Sequence, residues 1–319
     1  MKSALEMLRG FGDHFEKVDV GNMLPQSYNM LVFSGMGGSG IVGEIMKSYL
    51  IKNGFNKPVF SIKGYELLPF VDKDALVVCI SYSGDTEETI SVFEQAIKVG
   101  AKIISISSGG KLEELSNKHG VPHIKIPTGY PPRYALGFML NACLWLFGKE
   151  EEILDLKEDL KALSSRYEEV SKDIAKSLFG YVPIIYGTPL MEAAAYRFKT
   201  QINENSKTPA YNAYIPEMHH NEVVGYTNPD INQYLRFVIV ADKKEHPRVS
   251  LRVNMTIDIL KDKGFNPILI SEEGNSYISR LLKNIYIGDF ASYHLANMYG
   301  YDPLPVDIIT YVKKRLQDG

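Results

Sequence analysis

The chain has 319 residues, with 35 Lys+Arg against 38 Asp+Glu and a net charge of −3. That length suits about two domains of roughly 150 residues, each with its own core, and the balanced, unclustered charge excludes the basic stripe of a nucleic-acid binder and an acidic disordered tail. The two cysteines, Cys79 and Cys143, lie far apart in apolar sequence, which excludes a zinc cluster or disulfide framework and suits a reducing compartment. With no signal-peptide-like start and no segment near the ~18 apolar residues of a membrane span, the expectation is a soluble cytoplasmic α/β protein without a membrane or nucleic-acid partner.

In chain order, short apolar runs rich in β-formers alternate with helix-length amphipathic stretches. The pattern predicts strands at Met30–Ser34, Pro58–Ile62, Leu76–Ser81, Lys102–Ile106 and His123–Ile126, with helices at Gly40–Asn53, Asp85–Val99 and Lys111–His119. Continuous apolar strands separated by helices are covered on both faces, so the fold class is α/β, a doubly wound parallel sheet with right-handed crossovers. The PTGYPP stretch at 127–132 interrupts the rhythm before a helix over Tyr134–Phe147, and a long charged amphipathic helix over Lys149–Ser177 joins two lobes.

The rhythm then restarts. A strand at Val182–Tyr186 leads to Thr188 as N-cap and Pro189 as first residue of a helix reaching about Asn203. Further strands are expected at Tyr234–Ala241, Pro267–Ser271 and Ile285–Ile287. The matching helices are Arg248–Lys263, Asn275–Leu282, Ala291–Tyr299 and Val306–Leu316. The second half thus repeats the first, giving domains 1–150 and 151–319. The segment Glu204–Asn228 has no simple periodicity and is too long for an ordinary βα loop, which marks it as functional.

Two loops stand at strand-to-helix junctions. Gly35, Gly37 and Gly40 satisfy G-x-G-x-x-G, but the next strand ends Ser61-Ile62-Lys63-Gly64 without the acid a dinucleotide ribose needs. Backbone N–H groups with the Ser39 hydroxyl at a helix mouth suit a terminal phosphate better, the plainer reading being a tight βα turn. The second loop, Ser81 to Thr86, offers the hydroxyls of Ser81, Ser83 and Thr86 around Gly84. Asp85 with Glu88 also reads there as a helix-capping pair. Two such loops on strands that can lie side by side point to a phosphate monoester. Neither ends in G-K-[ST], which disfavours a nucleoside triphosphate.

The pair G-M-G-G-S-G and S-Y-S-G-D-T-E-E-T resembles the sugar isomerase (SIS) domain, a doubly wound phosphosugar-binding module. Asn203-Glu204-Asn205-Ser206-Lys207 with Pro209, Pro216-Glu217-Met218-His219-His220-Asn221-Glu222, Pro131-Pro132-Arg133 and Asp302-Pro303…Lys313-Lys314 resemble the bifunctional phosphoglucose/phosphomannose isomerases. The resemblance covers nearly the whole chain. It implies two tandem SIS domains, sugar 6-phosphates as substrates, a homodimer, and no cofactor or metal.

Isomerising a 6-phosphosugar requires ring opening, then movement of one proton between C2 and C1 through a cis-enediol(ate). The resemblance implies that Glu204 shuttles that proton, that His220 and Lys313 open the ring, and that Arg133 stabilises the enediolate. It likewise implies that Gly38, Ser39, Ser81, Ser83 and Thr86 hold the phosphate. His220, beside Asn221, fits the pattern better than His219, and Lys313 is preferred to Lys314 because it shares a helix side with Ile309. The His pair lacks H-E-x-x-H spacing, which disfavours a metal. Bifunctional members carry a small hydroxyl residue upstream of the terminal Lys; here Leu304-Pro305-Val306-Asp307 has none before Thr310. The other readings are a phosphosugar sensor, for which no DNA-binding segment is visible, and a sugar-phosphate synthase, for which the glutaminase domain and its Cys are absent.

Overall fold

Leu76–Ile80 (LVVCI) is buried at every residue, as a strand must be when helices cover both faces of its sheet. The computed structural model describes residues 2–318, and this strand is β3, the middle of a five-stranded parallel sheet ordered β2-β1-β3-β4-β5. The chain forms α1 (Ala4–Arg9), β1 (Leu31–Ser34), α2 (Gly37–Lys52), β2 (Val59–Ile62), β3, α3 (Glu87–Lys98), β4 (Lys102–Ser107), α4 (Gly110–His119), β5 (His123–Lys125) and α5 (Leu136–Leu146). Helix α3 lays Val92, Phe93 and Ala96 against Val77, Cys79 and Ile103 of the sheet, the helical spacing its sequence shows. Cys79 and Cys143 are free and fully buried; burial pushes the Cys79 thiol up to about 12, so both behave as small apolar side chains.

Helix α6 (Glu150–Leu178) is followed by β6 (Val182–Gly187), α7 (Glu192–Ser206), β7 (Tyr211–Tyr214), α8 (Pro229–Asn232), β8 (Leu235–Val240), α9 (Pro247–Asp262), β9 (Ile268–Ile270), α10 (Tyr277–Met298) and α11 (Asp307–Asp318). The second sheet is parallel, ordered β7-β6-β8-β9. Backbone contacts divide the chain into Met1–Leu163 with Ser276–Ile278, and Ser164–Asn275 with Ser279–Gly319. The second unit has its own core around Tyr186, Ile215, Met218, Phe237 and Leu260. Between α7 and α10 lies a fully buried ion pair, Arg197–Asp289, at 2.6 Å. Among the described residues no helix is long and apolar enough to cross a membrane.

Three expectations change. The run Ile285–Ile287 is no strand: it lies inside α10, whose expected two pieces are one 22-residue helix. From Arg280 to Ser292 every residue of that helix is buried, so the apolar run carries no amphipathic period that separates a buried helix from a strand. Helix α7 begins at Glu192, not Pro189, and runs on through Ser206. Residues 188–191 form a turn closed by Met191 N–H to Thr188 O at 2.7 Å, and the Thr188 hydroxyl is buried without capping a helix. Asp85 caps α4 rather than α3, its Oδ1 accepting the Lys111 N–H at 2.9 Å.

Candidate active site

In the first sheet the chain passes from β1 to β2 on one side and returns to β3 on the other, so the strand order reverses between β1 and β3. Crevices of this kind, at the carboxyl ends of the strands, are where open α/β sheets bind ligands. Both glycine- and hydroxyl-bearing loops leave from that point, since Ser34 of β1 pairs with Cys79 of β3. Gly37 and Gly38 lie in the first turn of α2, where N–H donors lack intrahelical acceptors and the helix dipole is positive. A Cβ on Gly38 would sit 2.8 Å from the Pro132 carbonyl and 2.9 Å from the Arg133 nitrogen. Only glycine allows this approach, and it seats the PPR segment against the loop. Arg133 is buried, in the 3-10 turn Pro132–Tyr134, with its guanidinium 5.1 Å from the Tyr134 ring centre.

The hydroxyls divide the work. Ser39 Oγ accepts the Tyr82 N–H at 3.0 Å and ties the two loops together. Ser81 Oγ is buried, pairs with Thr86 Oγ1 at 2.9 Å and accepts the Gly84 N–H at 3.1 Å. These two therefore brace the loops from beneath. Ser83 is exposed and Thr86 half-buried at the mouth of α3. Gly84 has φ +81, and a Cβ there would lie 1.8 Å from the Gly109 carbonyl oxygen, so no side chain fits the turn.

The second unit reaches the equivalent point of its sheet with different chemistry. Its order reverses between β6 and β8, and the loops there carry carboxylates. Asp242 is clasped by the buried Arg280 at 2.9 and 3.0 Å, and Glu245 Oε1 accepts the Leu190 N–H at 2.8 Å. The repeat of architecture therefore does not extend to the chemistry of these loops.

Glu204 stands in the last turn of α7 and is half-buried; it belongs to the helix instead of following it. Its polar neighbours hold the helix end. Asn203 donates to Thr208 O (2.9 Å), Asn205 to Ser292 Oγ (2.9 Å) and Ser206 to Ile202 O (2.6 Å). The Lys207 ammonium donates to the carbonyl of Glu204 itself at 2.6 Å.

The adjacent histidines lie in a 3-10 turn, Glu217–His220, after β7. His219 faces α9: its Nδ1 accepts from Arg252 Nη1 at 2.9 Å and its Nε2 meets Thr256 Oγ1 at 2.8 Å. Burial, then Arg252 and His220, hold its pKa below the ordinary histidine value. Met218 is wholly buried, and Asn221 bridges Glu217 and the Glu222 N–H. Tyr186 donates to Glu222 at 3.0 Å and also pairs with Tyr226. His220 is exposed. The sequence gives no sign of Arg252 or Thr256 as partners because they lie more than 30 positions away.

Lys313 is on α11, where Thr310 lies one turn before it; both lysines and Ile309 are exposed, so a shared side with Ile309 is not a buried side. No group of three or more His, Cys, Asp or Glu among the described residues is arranged to hold a metal ion.

Helix α7 runs back from the carboxyl ends of the strands, so Glu204 lies at the amino edge of the second sheet. Lys207 also donates to Pro303 O at 3.3 Å and Pro305 O at 2.8 Å, which places the root of α11 at the same edge. Strand β7 then carries the chain to the carboxyl edge, where His220 lies; its four residues alone rise roughly 13 Å. Glu204 and His220 of one chain are therefore at opposite edges of the second sheet.

Two family models and several known proteins match the chain. The SIS domain matches residues 26–126, and the bacterial phospho-glucose isomerase C-terminal SIS domain matches residues 167–316. A bifunctional phosphoglucose/phosphomannose isomerase from Aquifex aeolicus is 46% identical over 318 residues, covering 99% of each chain. A D-glucosamine-6-phosphate 4-epimerase from Sulfolobus acidocaldarius is 31% identical, over 89% of this chain and 88% of its own. Among solved structures, the tagatose-6-phosphate ketose/aldose isomerase of Escherichia coli superposes with a TM-score of 0.72 at 14% identity, covering 94% of each chain; that likeness concerns the fold.

Proposed function

The chain belongs to the bifunctional phosphoglucose/phosphomannose isomerase family, and from that premise we propose that it interconverts fructose 6-phosphate with glucose 6-phosphate and mannose 6-phosphate by proton transfer through a cis-enediol(ate). The observation that carries this reading is the pair of loops at the β1/β3 reversal, joined by the Ser39–Tyr82 hydrogen bond and built for one tetrahedral anion. Gly38, Ser83 and Thr86 face the phosphate, braced by Ser39 and Ser81, and Arg133 beside Gly38 supplies the positive charge for the enediolate. Glu204 moves the proton between C2 and C1, while His220 and Lys313 serve as acid and base in ring opening. The protein acts in the cytoplasm, a reading that sugar 6-phosphate substrates support.

The enzyme works as a homodimer in which His220 is delivered to Glu204 from a second copy. Two features support this: the opposite-edge placement of the two residues within one chain, and the exposed apolar side chains of α11, Ile308, Val312 and Leu316.

The test is a coupled assay of purified protein on fructose 6-phosphate, with and without EDTA and with the products resolved. Glucose and mannose 6-phosphates formed at the same rate in both conditions are the expected result. No aldose 6-phosphate contradicts isomerase activity, and a 4-epimer as the product redirects the reading towards the epimerase relative. Loss of activity in EDTA establishes a metal requirement.

A further inference from the structure

Lys207 takes part in none of the chemistry assigned above, yet its backbone and its side chain are both unusual. Its φ is +55, the one positive value outside glycine among the described residues, at a helix C-cap where glycine or asparagine is the usual occupant. Its ammonium has three donors and directs them at three carbonyls: Glu204 O (2.6 Å), Pro305 O (2.8 Å) and Pro303 O (3.3 Å). The left-handed backbone turns the side chain back across the end of α7, and the ammonium reaches the segment that leads into α11.

That segment needs an anchor. Prolines at 303 and 305 fix φ and remove two backbone donors, so hydrogen-bonded anchorage falls on its carbonyls, and two of these go to Lys207. Leu304 N–H folds back on Asp302 Oδ1 at 2.9 Å, which stiffens the approach. Beyond it, every side chain of α11 from Asp307 to Leu316 is exposed. Burial within the chain does not hold this helix in place, so within one chain the attachment at its root carries the positional information.

We propose that Lys207 is a positioning residue, its ammonium tying the end of α7, which carries Glu204, to the root of α11, which carries Lys313, and so fixing where Lys313 stands with respect to Glu204. The inference deepens the isomerase reading and rests on the roles given there to Glu204 and Lys313. The contact made is to the backbone of Glu204, so Lys207 touches no reacting atom. A misplacement of about 1 Å in an acid–base pair is enough to slow turnover roughly a hundredfold.

The test uses the full chain with Lys207→Met, which keeps the side-chain length and the backbone constraint while removing the charge, and Lys207→Arg, which restores a cation. Kinetics on fructose 6-phosphate are measured beside hydrogen exchange of residues 307–316. For Lys207→Met the expected result is kcat lowered roughly tenfold to a hundredfold with KM within about threefold. Exchange in α11 should also be at least tenfold faster while the strands of both sheets keep their protection, with Lys207→Arg recovering most of both. Unchanged exchange in α11 overturns the tether, and faster exchange with wild-type kcat overturns its role in catalysis. If Lys207→Met does not fold, Lys207→Gln is read against the same criteria. Because exchange is independent of turnover, a wild-type chain without isomerase activity contradicts the isomerase reading while the exchange arm still decides the tether.

Discussion

At the end of α7 four successive polar neighbours of Glu204 spend their side chains on holding the chain: Asn203, Asn205, Ser206 and Lys207 each bond to a backbone carbonyl or a neighbouring hydroxyl. The same economy governs the histidine pair. A 3-10 turn points successive side chains about 120° apart, so pinning His219 to Arg252 and Thr256 determines where His220 is presented. Removing the pin should let the turn rotate. His219→Ala should lower kcat about tenfold with little change in phosphosugar binding, since the phosphate loops lie in the first unit. Arg252→Ala should do the same, and the double variant should be no slower than either alone, because both act through one contact. Additive losses would show that the two residues act separately. The sequence favours His220 through its neighbour Asn221; the physical reason, that His219 is occupied elsewhere, depends on a helix 33 positions away, and no local pattern carries that information.

Single elements show where patterning suffices and where it fails. The first sheet is legible because each strand is a short apolar run bounded by turn residues and a helix such as α3 shows one apolar face, formed by Ile90, Val92, Phe93 and Ala96. Helix α10 is buried nearly all round, so Ile285–Ile287 looks the same as a strand. The end of α7, expected at about Asn203, is set short for another reason: Asn205 and Ser206 are poor helix formers, and partners in Ser292 and Ile202 hold them in the helix. A short 3-10 turn, Phe11–His14, supplies an element-scale prediction. His14 is buried, stacked 3.8 Å from the Phe138 ring centre of α5, and neither ring nitrogen has a hydrogen-bond partner. Burial holds its pKa down to about 3. The unfolded chain takes up a proton near pH 6.5 and the folded one does not, so stability is complete above about pH 6.5. It falls as pH drops towards 3, by up to about 1.4 kcal/mol per pH unit. In urea unfolding of the first unit, His14→Leu should flatten that slope by about one proton and leave stability at pH 7 little changed. An unaltered slope would mean that His14 is protonated in the folded state.

For the molecule as a whole, the two units share an architecture but not the side chains at the strand reversal. The first unit keeps glycine and hydroxyl loops at its strand reversal, and the second fills its own with Asp242, Arg280 and Glu245. In the proposed mechanism the second instead supplies the ionisable groups, at two edges of its sheet. If His220 serves the Glu204 of a second copy, mixing inactive Glu204→Gln and His220→Asn chains should recover roughly a quarter of wild-type activity, since half the reassorted dimers are mixed and each holds one intact pair. Recovery of none would mean that both residues are needed in the same chain. The near-neutral charge read from the sequence fits a protein that holds a small anion with loop amides and hydroxyls rather than a basic surface.

In the proposed mechanism Glu204 moves one proton between C1 and C2 of a bound sugar 6-phosphate. The most direct test is exchange of the C1 proton of fructose 6-phosphate with deuterated solvent, followed by NMR for the wild-type chain and Glu204→Gln at saturating substrate. Both chains should bind the substrate with similar affinity, and the variant should exchange and isomerise at least roughly a hundredfold more slowly. Exchange and isomerisation at the wild-type rate in Glu204→Gln would contradict it.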